Sequence, residues 1–484
     1  MVKENFQKNR VSRKTRVSLV APPVNFLAEL YGFRSRKAYR NQLPLGIGYL
    51  ASMLIQNGFQ VDLLDASAEN LEIDQTVNRI LALKPDIIGI TAITFEAKAA
   101  FHLAETLRNR TTAYMVFGGA HANSYYPEVP NQCSAFDAIV AGEGEYSLLK
   151  MAVTIDGGSR PQQMPGAMIR QPDGTYSKFA ERDPIMNLDE LPAPAYHLYK
   201  HELYKPLPHR RKRLPATCMI TCRGCSYGQC TYCELSGLIR KTYRRHSPGR
   251  VVEEMALLKK LARAREIYFQ DDIFINEPGW VYEFCDRLEA ADLGIIWSCE
   301  TRLQGLTLDM LRRIRKSGCW RIYYGFESGN QDLLDGIQKG FTLDEARHVV
   351  DISNQAGLDI VGFFMIALPG ETPEKAERTL AFARELSIDH AIFSMTVPHP
   401  NTQLYRICEA HGRIIEDHLY YYKKASYIPE GYQSAEQIEA IWRKAYKQFY
   451  FRLSFLWRCI TKCRSWEDFM YYLKGFASFF TFMD

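Results

Sequence analysis

Twelve cysteines are distributed over 484 residues, and five of them crowd between Cys218 and Cys233. The segment reads Cys218-MIT-Cys222-RG-Cys225-SYGQ-Cys230-TY-Cys233. The other seven, Cys133, Cys285, Cys299, Cys319, Cys408, Cys459 and Cys463, are scattered. A secreted disulfide framework spaces its cysteines more evenly along a shorter chain. The crowded segment therefore reads as a set of metal-binding thiolates in a reducing compartment. Two chemistries fit it. Four thiolates in the pairs Cys222/Cys225 and Cys230/Cys233 can hold tetrahedral zinc. Those pairs are only four residues apart, a shorter loop than zinc ribbons and knuckles use. Alternatively, three thiolates can hold a four-iron cluster and leave one iron open to a substrate or cofactor.

Composition narrows the function classes. The chain is 46% hydrophobic and 24% charged, ordinary for a protein with sizeable cores. Its 60 Lys and Arg against 55 Asp and Glu leave a net charge of +5, which predicts no nucleic-acid binding. There is no apolar run of about 18 residues that would span a membrane. The basic start MVKENFQKNRVSRKTR leads only into VSLVAPP, too short for a signal-peptide core. A cytoplasmic location is expected, and the length suits two or three domains.

Strand and helix signals alternate in the first part of the chain. Strands are expected at Val17–Pro22, Phe59–Asp65, Asp86–Thr91, Met115–Gly119 and Phe136–Ala141, with helical spacing over Leu45–Ile55 and from Thr91 to Leu107. Short apolar runs separated by helices imply βαβ units and a parallel sheet. In such sheets ligands sit at the carboxyl ends of the strands, where Gly118-Gly119 and Gly142-Glu143-Gly144-Glu145 lie. Residues 151–210 are rich in Pro and Gly and read as a linker with a small hairpin. A second alternating series follows, with strands expected at Glu266–Phe269, Gly294–Trp297, Arg321–Phe326, Ile360–Ile366 and His390–Met395 and helices at Thr307–Lys316 and Leu343–Ala356. From about residue 411 the chain reads as helical and aromatic, without strand signals. An aromatic stripe such as Phe449–Trp457 or Phe469–Met483 suits a core, a wall for a bulky apolar substrate, or peripheral membrane contact. There is no internal repeat.

Arg223-Gly224-Cys225-SYGQ-Cys230-Thr231-Tyr232-Cys233 resembles the cluster motif of radical S-adenosylmethionine (SAM) enzymes, with an aromatic residue before the last cysteine. Its first gap has four residues where the family has three. A second register, Cys218/Cys222/Cys225, has the common spacing but has Gly224 before its last cysteine. The start Arg-Gly-Cys and the end Tyr-Cys favour Cys225, Cys230 and Cys233. Further segments are similar to the family in the same order: Phe269-Gln-Asp-Asp272, Glu300-Thr-Arg302, Gly325-Phe-Glu-Ser-Gly329, Lys339-Gly340, Leu368-Pro-Gly-Glu-Thr372 and Pro398-His-Pro-Asn-Thr402. The first part resembles the cobalamin-binding domain fused to one large radical SAM subgroup, through Leu43–Leu50, Val61–Asp65, Asp86–Thr91, Phe117–His121 and Gly142–Glu145. The family's Asp-x-His-x-x-Gly motif for a lower cobalt ligand is missing, because Val24-Asn-Phe-Leu27 stands after the first strand.

The resemblance implies an α/β fold. A Rossmann-like cobalamin-binding domain would cover residues 1–160 and a linker 161–205. A radical SAM partial (β/α) barrel would cover 206–410 and a helical region 411–484. It implies a 4Fe-4S cluster on Cys225, Cys230 and Cys233. SAM would meet Tyr232, Asp271, Arg302, Gly325, Glu327 and Ser328. Cobalamin would meet Thr91, Thr94, Gly118, Gly119, His121, Gly142 and Glu143. The cofactors would carry the chemistry while the protein orients the reactants in a dry site. The expected reaction is methylation of an unactivated carbon in a small-molecule or lipid-like substrate, fed by an external one-electron reductant of the flavodoxin or ferredoxin class. Oxidative cyclisation or rearrangement on the same scaffold is the alternative. Methylthiolation fits less well, since no nucleic-acid-binding module is appended. A non-enzymatic zinc-binding scaffold is the reading from another class.

Overall fold

The computed structural model describes residues 14–24, 42–206, 210–233, 242–416 and 423–453, together with 455, 457, 463 and 470. These form two compact units that meet in sequence between Leu203 and Tyr204. The expected α/β architecture is present in both.

The first unit is a six-stranded sheet. Its strands are β1 (Arg16–Ala21), β2 (Gln60–Asp65), β3 (Ile87–Thr91), β4 (Tyr114–Gly118), β5 (Ala138–Val140) and β6 (Ala167–Ile169), in the order β2-β1-β3-β4-β5-β6. The first five are parallel. Parallel strands buried on both faces carry nearly continuous apolar runs. Val17, Leu19, Val20, Ile87 and Ile88 are accordingly removed from solvent. The helices Leu45–Gln56, Ala97–Arg108 and Glu145–Asp156 alternate with the strands. β1 stops at Ala21 because Pro22 has no amide to continue the ladder.

The segment 161–205 is more than the expected linker. β6 pairs antiparallel with β5 and closes the sheet. Tyr199 donates its hydroxyl to the Pro44 carbonyl at 2.8 Å, and the Ala195 amide bonds the Gly48 carbonyl at 2.9 Å. Its prolines shape turns that pack, because Tyr196 and Tyr199 bury their rings.

The second unit holds β7 (Ala216–Met219), β8 (Cys222–Arg223), β9 (Arg244–Arg245), β10 (Glu266–Phe269), β11 (Ile296–Thr301), β12 (Cys319–Glu327), β13 (Asp359–Ile366) and β14 (His390–Met395). Six of them form an open parallel sheet in the order β14-β13-β12-β11-β10-β7, and β8 and β9 make a short antiparallel ribbon. Helices Pro248–Ala262, Leu308–Lys316, Leu343–Gln355 and Pro373–Glu385 connect the strands. Each starts behind a Ser or Thr, namely Ser247, Thr307, Thr342 and Thr372, whose side chain accepts a first-turn amide. One face of the sheet packs an aromatic cluster of Phe269, Phe274, Phe284 and Trp297. Strand β7, which carries Cys218, was not expected from its short run ATCM.

The region after 411 departs from an all-helical tail. β15 (Gly412–Ile414) and β16 (Tyr427–Pro429) form an antiparallel ribbon. The helix Ala435–Tyr450 then covers β14, with Trp442 Nε1 donating to the Phe393 carbonyl at 2.7 Å. Trp442 and Tyr446 are buried there; within the stripe Phe449–Trp457, Phe449 and Phe455 are buried as core, whereas Phe451, Leu453 and Trp457 are exposed. Apart from Met470, the stretch Phe469–Met483 lies outside the described residues. No helix among the described residues is long and apolar enough to cross a membrane.

Candidate functional site

The cysteine segment leaves the carboxyl end of β7. Its start is held by Asp271, just after β10. The Asp271 carboxylate accepts the Thr221 amide at 2.6 Å, the Thr221 hydroxyl at 2.5 Å and the Cys222 amide at 3.0 Å. Burial pushes its carboxyl up to about 6, against the downward pull of those hydrogen bonds. Cys218 is buried within β7. Cys222 is buried too, with its thiol directed to the Ile273 carbonyl at 3.5 Å, and burial drives its pKa well up. Cys225, Cys230 and Cys233 are partly exposed. The Gly228 amide donates to Cys225 Sγ at 3.5 Å, the kind of bond that supports a ligating sulfur. Behind the loop, the Thr231 amide bonds the Ile337 carbonyl and the Leu404 amide bonds the Thr231 carbonyl, at 3.1 and 2.9 Å.

Among the described residues no three His, Cys, Asp or Glu side chains converge as a site for one ion. The four-thiolate zinc arrangement is therefore not assembled, since Cys222 is turned into the sheet. A four-iron cluster can be held by three thiolates, and Cys225, Cys230 and Cys233 are the partly exposed thiols of this loop.

A buried polar triad adjoins the loop. Lys339 Nζ lies 2.7 Å from Glu327 Oε1 and 2.8 Å from the Tyr232 hydroxyl, which donates to Glu327 Oε1 at 2.9 Å. Glu327 ends β12 at a register shift, in a left-handed conformation with φ +62°. That bend turns its carboxylate toward Lys339. A side chain at Gly325 would run into both groups of the pair. Burial and then Glu327 raise the Tyr232 pKa well above its usual range. Burial pulls Lys339 down, but Glu327 and Cys230 together outweigh it and the net direction is up. Burial raises the Cys230 thiol, and Lys339 and Arg302 oppose that rise.

The candidate SAM residues therefore fall into two groups. Tyr232, Gly325, Glu327 and Arg302 gather by the cysteine loop. Asp271 and Ser328 do not face an open site. Asp271 is spent on the loop's backbone, and the Ser328 hydroxyl meets Thr379 Oγ1 and the Asn330 amide, both at 3.2 Å. Periodicity could not distinguish these roles because each depends on a distant partner. Lys339 was legible only as half of a Lys-Gly pair. Its contact with Glu327 has no signature in the sequence.

In the first unit, the candidate cobalamin residues lie at the carboxyl ends of β3, β4 and β5. Thr91 and Gly118 are register partners. Gly119 has φ +99°, and a Cβ there would sit under 3.0 Å from Thr91 and Ala92, so only glycine suits the turn. The Gly142 amide bonds Asn123 Oδ1 and Glu143 Oε2 accepts the Ile185 amide, both at 2.7 Å. These ends present backbone and small side chains, a shape that fits a flat macrocycle. His121 differs from expectation. It is fully buried, stacked on Tyr125 at 4.5 Å and 3.4 Å from Thr94 Oγ1. Phe101 and Phe117 also enclose it, so it packs beneath the strand ends and does not project from them.

Comparison with known proteins agrees with both halves. A B12 binding domain model matches residues 35–152, and a Radical SAM superfamily model matches residues 219–383. The chain is 31% identical over 412 residues to an uncharacterized methyltransferase of Pyrococcus horikoshii, covering 84% of this chain and 88% of that protein. It is 28% identical over 432 residues to an anaerobic magnesium-protoporphyrin IX monomethyl ester cyclase of Rubrivivax gelatinosus, covering 87% and 76%. The fold is similar to that of OxsB, a cobalamin-dependent S-adenosylmethionine radical enzyme solved with aqua-cobalamin and S-adenosylmethionine, at a TM-score of 0.65 and 19% identity. That match covers 81% of this chain and 55% of OxsB, so the chain spans about half of its length.

Proposed function

The chain belongs to the family of radical SAM enzymes that carry an N-terminal B12-binding domain, and from that premise we propose that it methylates an unactivated carbon of a small-molecule substrate. The observation that carries the proposal is the pairing of three partly exposed thiols in one loop with the buried Tyr232–Glu327–Lys339 triad beside it. When bound, a 4Fe-4S cluster supplies the electron that cleaves a carbon–sulfur bond of SAM, and cobalamin serves as the methyl carrier.

The chain's own residues divide the work. Cys225, Cys230 and Cys233 hold the cluster as thiolates, and Asp271 fixes the strand end from which they depart. Tyr232 braces the loop against Glu327 and Lys339. That triad is balanced, one carboxylate against one ammonium, so it can stay dry. Arg302 offers a charge-assisted donor to the SAM carboxylate. Thr91, Gly118, Gly119, Gly142 and Glu143 would hold cobalamin at the strand ends of the first sheet, where their backbone and short side chains leave room for it. A flavodoxin- or ferredoxin-class protein delivers the electron. The relative that is a cyclase supports radical ring closure as the second reading.

Anaerobic purification tests the reading. The protein should carry about four irons with matching sulfide and bind cobalamin. Zinc in place of iron would overturn the enzyme reading in favour of a scaffold.

A further inference from the structure

Arg302, one residue past the end of β11, is held by several contacts. Its guanidinium lies over the Tyr227 ring, 3.4 Å from the ring centre. Its Nε donates to Gln304 Oε1 at 3.1 Å, and its Nη2 to the Lys339 carbonyl at 3.3 Å. Gln304 Nε2 donates to the Gly340 carbonyl at 2.6 Å, and the Tyr227 hydroxyl donates to the Gln338 carbonyl at 2.8 Å. These tethers converge on one turn, Gln338–Gly340. One nitrogen, with two N–H groups, remains unused. The buried Nη1 of Arg302 has no partner among the described residues. A buried unpaired N–H is costly, so this arrangement is suited to receiving an acceptor.

Tyr227 lies in the four-residue gap between Cys225 and Cys230, where the chain departs from the family's three-residue spacing. Opposite its ring, Gly340 has φ +76°, and a Cβ there would lie under 3.0 Å from the hydroxyl and ring of Tyr227. The turn omits a side chain where the tyrosine needs the space.

We propose that Tyr227 is a positioning residue. By stacking under Arg302 and bonding the Gln338–Gly340 turn, it fixes the guanidinium so that Nη1 is presented to the carboxylate of SAM. Stacking on an aromatic face orients a planar guanidinium and reduces its need for hydration. The proposal rests on the reading of Arg302 as the carboxylate partner.

Equilibrium binding of radiolabelled SAM to the full-length, anaerobically reconstituted protein tests it, with iron content and thermal unfolding measured on each sample. Tyr227→Leu should weaken SAM binding about tenfold, roughly 1.4 kcal/mol, at unchanged iron content. Tyr227→Phe keeps the ring and should stay within about threefold of wild type. Gly340→Ala should weaken SAM as Tyr227→Leu does, because its methyl group displaces the tyrosine. Decarboxylated SAM separates positioning from general disorder: with no carboxylate to meet, it should bind Tyr227→Leu and wild type equally. Wild-type SAM affinity in Tyr227→Leu, or an equal loss for both ligands, would overturn the proposal. If Tyr227→Leu loses iron, Gly340→Ala decides: weaker SAM binding at full iron supports the proposal, and unchanged binding overturns it. Failure of the wild type itself to bind SAM would instead remove the functional reading on which the proposal stands.

Discussion

Glu371, in the Leu368-Pro-Gly-Glu-Thr372 turn, should make the protein less stable as pH rises toward neutrality. Its carboxylate is fully buried. Oε1 accepts the Ala367 amide at 2.5 Å and the Tyr432 hydroxyl at 2.7 Å, while Oε2 has no partner among the described residues. Burial raises its pKa from 4.5 to about 7, against the pull of those bonds. The folded chain therefore holds this proton more tightly than the unfolded chain. The resulting stability is complete below the unfolded value near 4.5 and is lost as pH rises through about 7. A difference of about 2.5 pK units corresponds to roughly 3 kcal/mol. Glu371→Gln keeps an acceptor for Ala367 and Tyr432 and cannot ionise. Urea unfolding of both proteins, followed by circular dichroism from about pH 5 to about pH 8, should show the wild type losing about 2.5 kcal/mol relative to the variant. Glu266 and Asp271 are raised by burial as well, but they are common to both proteins and cancel in the comparison. Parallel stability curves would refute the reasoning.

Three further sets of substitutions test the site. Alanine at Cys225, Cys230 or Cys233 should strip the iron, whereas Cys218→Ala and Cys222→Ala should keep most of it in an iron assay; the opposite pattern would move the ligand set to Cys218/Cys222/Cys225. Lys339→Met leaves the buried Glu327 carboxylate without its counter-charge, held only by the Tyr232 hydroxyl, and should cost about 3–5 kcal/mol in urea unfolding; a loss under about 1 kcal/mol would mean that water, and not Lys339, offsets that charge. Gly119→Trp should abolish cobalamin binding measured by absorbance, and normal affinity would remove the cradle from the ends of β3 and β4.

Much of the fold was readable because parallel strands buried on both faces announce themselves as apolar runs. DIIGIT and IVGFFMI are examples, and the turns that follow carry the chemistry. Reading failed where structure depends on partners far away in sequence. LPAPAYHLY has the composition of a linker, yet Tyr199 reaches Pro44. The runs ATCM and YIP are too short to show a period, so β7 and β16 went unseen. The cysteine loop was legible from spacing alone. The burial that separates Cys218 and Cys222 from the other three was not, because it comes from β7 pairing with β10 and from the Asp271 bonds. His121 had the composition of a ligand, but Tyr125, one helical turn later, stacks against it and turns it into core.

Methylation of an unactivated carbon, as proposed, calls on SAM twice, once to methylate cobalamin and once as the radical source. The most direct measurement gives the reduced, cobalamin-loaded protein SAM with a deuterated methyl group and quantifies what becomes of it. The account predicts S-adenosylhomocysteine in an amount set by the bound cobalamin, together with 5′-deoxyadenosine that disappears in Cys233→Ala. Formation of 5′-deoxyadenosine alone, with every labelled methyl group still on methionine, would contradict methyl transfer and leave the cyclase reading.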